Sequence, residues 1–336
     1  MNDGSSERIS RHDVAVVVLN YKTPGMVIDC LQSMSDQVIA GRHDVIVVDN
    51  ASPDDSADQV ETAIDAKGWS SWARVVRSPV NGGFAAGNNV GIQASNARII
   101  VLLNSDTVVR DGAIETVVAK FEEHDHVGLV GPRLEWPDGT KQISTFRFRT
   151  PLTELIASGR LGFLGRFFST HVVAKEIDAA SEDLDWVSFA CVAIRSEVFE
   201  RVGLLDETYF MYFEDMDFCR HAKLASFKVA YEPDAAVVHL RGGTSDVKKS
   251  TIERRRRPGY YYAARSRYFR AWYGRAGFVL ANIFWTLGWL LALIRGKSRA
   301  VRSEWRDIWM NPAAGRPAGV PAAPSQADRR TAVAHG

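Results

Sequence analysis

The chain has 336 residues, of which 46% are hydrophobic, with 41 lysines and arginines against 40 acids and a formal charge of +1. That is enough for one generous core with an appended module, and it excludes a disordered or collagen-like chain. Cys30, Cys191 and Cys219 have neither zinc-site nor disulfide spacing, so a reduced compartment is expected.

Residues 1–12 read as a polar, flexible arm without the apolar centre of a signal peptide, which places the protein in the cytoplasm or on its membrane. Val14–Leu19 is a β-branched run suited to a strand buried on both faces. Thr23-Pro24 predicts a helix start, with Val27, Leu31, Met34 and Val38 at helical spacing. A second strand over Val45–Val48 leads to the same start signal at Ser52-Pro53, with Ala57, Val60 and Ile64 on one helix face. Further strands are expected at Ile99–Leu103, Val127–Val130, Trp186–Ile194 and Ala235–Val238, and a helix over Glu214–Leu224. Strands alternating with helices imply an α/β domain, a mostly parallel sheet with helices on both faces.

Polar residues follow three strands directly: Asn20-Tyr21, Asp49-Asn50 and Asn104-Ser105-Asp106. Ligands of open α/β sheets bind beyond the carboxyl ends of the strands, so these side chains are expected to line one crevice. Between the second and third strands, Asn81–Gly91 lacks the G-x-G-x-x-G spacing of a dinucleotide site, which argues against a nicotinamide-dependent oxidoreductase. Its Gly83, Gly87 and Gly91 instead form a bare helical stripe that permits close approach of a strand or a flat ligand.

Asp106 is a candidate ligand for a divalent cation that offsets the charge of a diphosphate substrate. His239 is a candidate second ligand, tilting the choice between Mn2+ and Mg2+ toward Mn2+. In Tyr209–Arg220 an aromatic run delivers Glu214 and Asp215 to a helix start, where apolar walls raise a carboxyl pKa and make a general base. Asp217 is expected to pair with Arg220 or His221.

Taken in order, Val18–Tyr21, Val47–Asn50, Asn81–Gly91, Asn104–Asp106, Phe213–Phe218 and Val238-His239 resemble glycosyltransferase family 2, and within it the bacterial rhamnosyltransferase-like members. The resemblance implies a GT-A fold and an inverting, metal-dependent transfer of a sugar from a nucleotide diphosphate. It assigns Asn20, Tyr21, Asp49, Asn50, Gly83, Phe84, Asn88, Ser105 and Arg241 to the nucleotide sugar, and Asp106 and His239 to Mn2+ or Mg2+. Asp215 becomes the base, Glu214 positions the acceptor, and Trp186, Phe189, Ala190 and Cys191 line the acceptor side. Two positions depart from the family: Asn104 stands at the first place of the usual Asp-x-Asp, and Phe189 replaces a common glycine, which would reshape the acceptor pocket. The resemblance favours dTDP-rhamnose as donor and a lipid-linked glycan or polysaccharide precursor as acceptor. A UDP-hexose donor, or a non-catalytic sugar-nucleotide-binding membrane scaffold, is the alternative.

The C-terminal third is basic: between Arg241 and Arg302 stand fifteen lysines and arginines against Asp246 and Glu253. Ala276–Ile294 has no charge and has basic flanks at both ends, favouring a helix lying in the cytoplasmic face of the plasma membrane over a spanning or a buried one. Trp305 and Ile308, with Val301, suggest a further amphipathic helix, and the Arg254–Arg257 run is suited to headgroups or an acceptor pyrophosphate. No nucleic-acid recognition motif is present, and homo-oligomerisation stays open. The expected organisation is an arm (1–12), a GT-A domain (13–245, nucleotide half to about 135, acceptor half from 136), a basic helical membrane-associated region (246–311) and a disordered tail (312–336).

Overall fold

The computed structural model describes residues 12–161, 173–174, 179–240, 256–296 and 304–315. In chain order the elements are β1 (Val14–Asn20), α1 (Pro24–Met34), β2 (His43–Asp49), α2 (Ser56–Ala66), β3 (Ala73–Arg77), α3 (Gly83–Gln93), β4 (Ile99–Asn104), β5 (Thr107–Val109), α4 (Ala113–Glu123) and β6 (Val127–Glu135). There follow β7 (Thr145–Phe146), α5 (Pro151–Gly159), β8 (Trp186–Val187), β9 (Cys191–Arg195), α6 (Ser196–Val202), α7 (Glu214–Leu224), β10 (Lys228–His239), α8 (Gly259–Ile294) and the short α9 (Glu304–Asp307).

Eight strands form one sheet in the order β3-β2-β1-β4-β9-β6-β10-β5, and β7 pairs with β8 in a second, two-stranded sheet. Strands β3, β2, β1 and β4 are parallel, and β9 runs antiparallel to both its neighbours. Alternation along β1 feeds two cores: Val14, Val16 and Val18 pack with α1, α2 and α4, whereas Ala15 and Val17 pack with α3, α6 and α7. Register aligns the chemistry, for Asn20 stands opposite Asp49 and Leu19 opposite Asn104, so three strands end flush.

The glycine stripe serves a strand. A Cβ on Gly91 would lie 2.3 Å from Cγ1 of Val17, and one on Gly87 2.4 Å from Cδ1 of Leu19. Helix α3 therefore lies closer to β1 than any side chain at these positions allows. Gly91→Ala should cost about 1–3 kcal/mol, because β-branched Val17 cannot swing aside; a lowered urea midpoint at unchanged slope is the readout.

Several local expectations need correction. Helix α2 begins at Ser56, not at Ser52-Pro53, because the amide of Ser52 donates to Oδ2 of Asp49 in a turn (3.0 Å). The segment Trp186–Ile194 is two strands separated by a turn at Ser188–Ala190. Strand β3, at the sheet edge, was not expected; its two valines are only half-buried, and Arg74 and Arg77 pair with acids on its flanks. Helix α5, also unexpected, opens with Pro151 and a reciprocal Thr150–Thr153 capping box.

Helix α8 is broken at Gly274 (φ +66°), giving arms over 259–273 and 275–294. The arms fold back on one another: Arg265 bonds Asn282, and Tyr262 packs with Trp285. The second arm crosses α5 so closely that a Cβ on Gly288 would lie 2.5 Å from the carbonyl oxygen of Leu155. Phe278, Ala281, Asn282, Trp285 and Ala292 face inward, while Val279, Leu280, Ile283, Leu287, Leu290, Leu291 and Ile294 are exposed. The arm 275–294 is a continuous helix, long and apolar enough to cross a membrane, and one of its faces is covered by the domain. Val301 and residues 316–336 of the tail lie outside the described residues, while Pro312–Gly315 forms a 3-10 turn.

Candidate active site

The strand ends converge through side-chain bonds. Nδ2 of Asn20 donates to Oδ1 of Asp49 (2.8 Å), and Oδ1 of Asn20 accepts from the amide of Thr23 (3.2 Å). The Thr23 hydroxyl lies 3.3 Å from that of Ser105, next to Asp106. Asn50 donates to Oδ1 of Asn81 and to the carbonyl of Gly83, leaving its own buried Oδ1 without a partner. Asn88 is buried and donates back to the carbonyl of Phe84, while half-buried Phe84 packs on the α3-side core. Tyr21 is also half-buried, beneath the ammonium of Lys22.

Strand β5 pairs with β10 so that Thr107 stands opposite His239, which brings His239 beside Asp106. Nε2 of His239 lies 3.5 Å from Oδ1 of Asp106. The imidazole is buried, yet neither ring nitrogen has a hydrogen-bond partner. An unsatisfied imidazole aimed at a carboxylate is what an incomplete coordination shell looks like, so these two residues fit a divalent cation, one nitrogen and one oxygen donor.

The segment before α7 docks on the glycine-rich turn: the amide of Phe84 donates to the carbonyl of Phe210 (2.7 Å). Gly83 (φ +89°) has no room for a Cβ, which would lie 2.0 Å from that carbonyl oxygen. Tyr212 and Phe213 then both adopt left-handed backbone conformations, φ +73° and +72°. Two bulky residues held there represent strain of the kind that clusters at functional sites. It aims Glu214 and Asp215 from the first turn of α7. Glu214 is buried with Oε2 unpartnered, and burial together with the neighbouring Asp215 raises its pKa well above the usual range. Asp215, half-buried, is pushed up to about 6, chiefly by burial; the amide of Met216 and the charge of Arg149 oppose the rise. A carboxyl of this kind is ionised at neutral pH and still basic enough to take a proton.

Asp217 does pair with His221 (3.4 Å), but it also accepts from the Tyr209 hydroxyl and from Nε1 of Trp272. Arg220 instead lies among Phe148, Trp272 and Tyr273 and donates to the Tyr268 hydroxyl, so of the two expected partners Asp217 takes His221. On the acceptor side, Trp186 is half-buried, stacked on Phe146 and bonded to the carbonyl of Arg147. Phe189 does not shape a pocket: it is 3% exposed and packs edge-on against Phe218. Ala190 and Cys191 are likewise buried, in the opposite core layer. The turn at Ser188–Ala190 interrupts the strand alternation and sends these side chains inward. Arg241 lies outside the described residues.

A charged neighbour not anticipated from the sequence is Arg149. It follows β7, stands over the Phe213 ring at 5.4 Å, and its Nη1 donates to Oε1 of Glu154 (3.1 Å). Glu154 is shared with buried Arg265. Of the Arg254–Arg257 run, Arg256 is clamped to Asp307 by two bonds and Arg257 lies 3.5 Å from Glu304. All three cysteines are free and buried.

The model of the family "Glycosyltransferase like family 2" matches residues 12–260. An N-acetylglucosaminyl-diphospho-decaprenol L-rhamnosyltransferase of Mycobacterium tuberculosis is 27% identical over 201 residues, 58% of this chain and 61% of that protein. Rhamnosyltransferase WbbL of Escherichia coli is 25% identical over 47% of this chain and 60% of its own length. The chain thus matches about three fifths of the length of these relatives. Among solved structures, a mannosyltransferase from Pyrobaculum calidifontis in complex with GDP-Man and Mn2+ superposes with a TM-score of 0.54 at 14% identity, covering 88% of this chain and 78% of its own. TarS of S. aureus in complex with UDP gives 0.52 at 16% identity, covering 88% and 77%. With the family model covering most of its length and these folds superposing on it, the chain belongs to glycosyltransferase-like family 2 and has a GT-A fold.

Proposed function

We propose that this chain transfers a sugar from a nucleotide diphosphate to a hydroxyl of a lipid-linked acceptor, with inversion at the anomeric carbon. The observation that carries the reading is a half-buried carboxyl, Asp215, its pKa pushed up to about 6 and its place held by strained backbone, on a segment that docks through Phe210 on the glycine-rich turn bonded to Asn50. Asn20 and Asp49, locked to each other, present fixed polar edges to ribose and base. Asp215 accepts the acceptor's proton as that oxygen bonds to the anomeric carbon and the bond to the diphosphate breaks on the opposite side. Buried Glu214, whose pKa burial and the neighbouring Asp215 raise well above the usual range, lies next to the base and positions the acceptor. Asp106 and His239 would hold Mn2+ or Mg2+, which supplies Lewis-acid stabilisation of the departing diphosphate. The rhamnosyltransferase relatives support rhamnose as the sugar, and we take dTDP-rhamnose as the donor, ahead of UDP-hexoses.

The exposed face of α8, with Trp305 and Trp309 also exposed beside it, supports attachment to the membrane interface, where the acceptor's lipid resides. Thermal stability against dTDP- and UDP-sugars, with and without Mn2+, tests the reading. A nucleotide at a hundred times its dissociation constant should stabilise the fold by about 2.7 kcal/mol. Asp106→Ala should lose the metal-dependent part of that shift. Equal shifts in wild type and variant would remove Asp106 from the metal site.

A further inference from the structure

We propose that Arg149 and Arg257 form a subsite for the diphosphate group of a prenyl-diphosphate-linked acceptor. This rests on the glycosyl-transfer reading above and names what the acceptor must carry. The geometry is a short bridge: Arg149 stands over Phe213 at 5.4 Å, the Phe213 and Tyr261 rings are 5.8 Å apart, and Arg257 stands over Tyr261 at 5.0 Å. Each guanidinium therefore stands over one ring of a touching aromatic pair, and Phe213 of that pair directly precedes Glu214 and Asp215.

Neither arginine is used up by the protein. Glu154 takes a single bond from Nη1 of Arg149 and gives its other oxygen to Arg265. No described residue partners Nε or Nη2 of Arg149. Arg257 is 3.5 Å from Glu304, whose carboxylate already accepts from the Tyr262 hydroxyl, and Asp307 is taken by Arg256. Four guanidiniums thus share three carboxylates, and the two flanking the ring pair have side chains 29% and 28% exposed. A forked, half-exposed cation pair with donors to spare matches a diphosphate, which offers several acceptor oxygens to bidentate bonds. The arm that packs on neighbouring Tyr262 through Trp285 exposes Ile283, Leu287 and Leu291 on its opposite face, an apolar surface for the acceptor's lipid.

The experiment measures binding of farnesyl diphosphate and of farnesol to the full chain, with dTDP and Mn2+ at saturation so that the donor site is occupied. Wild type is expected to prefer farnesyl diphosphate by about a hundredfold, with Arg149→Met and Arg257→Met each losing roughly tenfold of that preference, the contribution of one charge-assisted bond. Farnesol and dTDP binding should not change. Arg149→Lys, which keeps the pair with Glu154, guards against a misfolded variant and should retain part of the preference. Unchanged farnesyl diphosphate affinity in both methionine variants overturns the proposal. So does a loss confined to phosphatidylglycerol vesicles, which would assign the pair to lipid headgroups. Binding of dTDP reports separately on the transferase: a chain that lost nucleotide binding but kept the arginine-dependent preference would refute the enzyme and keep the subsite.

Discussion

Replacing Asp215 by asparagine is expected to leave nucleotide-sugar binding intact and to lower turnover by about 10²–10⁴-fold, the usual contribution of a positioned general base. Wild-type turnover should fall as pH drops below about 6, where this carboxyl becomes protonated. The same substitution should move stability in the opposite direction. The folded-state value, about 6, lies above the ordinary 3.8, so the fold binds this proton more tightly than the unfolded chain does. The group is then most favourable below about pH 4 and becomes a net penalty as pH rises through 6. Asn removes the penalty. At pH 8 the variant should be more stable than wild type by on the order of 1–3 kcal/mol, and at about pH 4 the two should coincide. Chemical denaturation at both pH values, beside a steady-state assay, reads both effects. A variant that lost activity together with stability at pH 8 would mean that Asp215 is a structural carboxylate.

Arg265→Met should destabilise the fold by about 3–5 kcal/mol, because it leaves a buried charge behind. Arg265 and Glu154 are each 2% exposed, and Nε of Arg265 donates to Oε2 of Glu154 at 2.9 Å. Nη1 donates to Asn282 on the second arm of α8 (2.7 Å), so one guanidinium joins α5 and both arms. Without it Glu154 keeps only half-exposed Arg149, and Oδ1 of Asn282 loses its donor. The double replacement Arg265→Met with Glu154→Met removes both charges and should recover most of the loss, since a buried ion pair is seldom worth more than apolar packing. A urea midpoint series over the single and double variants checks this, and a double variant as unstable as the single one would point to lost packing.

Much of the sheet was legible. Strands β1, β2 and β4 are β-branched runs buried on both faces, and the polar residues at their ends come together because parallel register is flush there. Helix α7 was legible for a similar reason, with its acids in the first turn. What stayed hidden was set by long-range partners. Glu154 and Arg265 are 111 residues apart, and no local pattern marks either as buried. Arg149 looked like any surface arginine. Phe189 was misplaced because one turn shifts strand parity, and parity decides whether a side chain meets solvent or core. The hairpin in α8 hinges on Gly274, which lies just outside the uncharged run, between Tyr273 and Arg275, where no local pattern marks a reversal.

That hinge bears on the membrane attachment proposed above. A straight 36-residue helix would be roughly 54 Å long, a rod whose fit depends on bilayer thickness. Folded at Gly274 and laid against α5, the same residues present area in place of length. An attachment made this way is indifferent to how thick the bilayer is. On the interfacial attachment proposed above, it would respond instead to how tightly the headgroups are packed, because Leu287, Leu291 and the two exposed tryptophans would have to find gaps between them. Curved or loosely packed membrane would then hold more of the enzyme than flat, tightly packed membrane, with no change in the site itself.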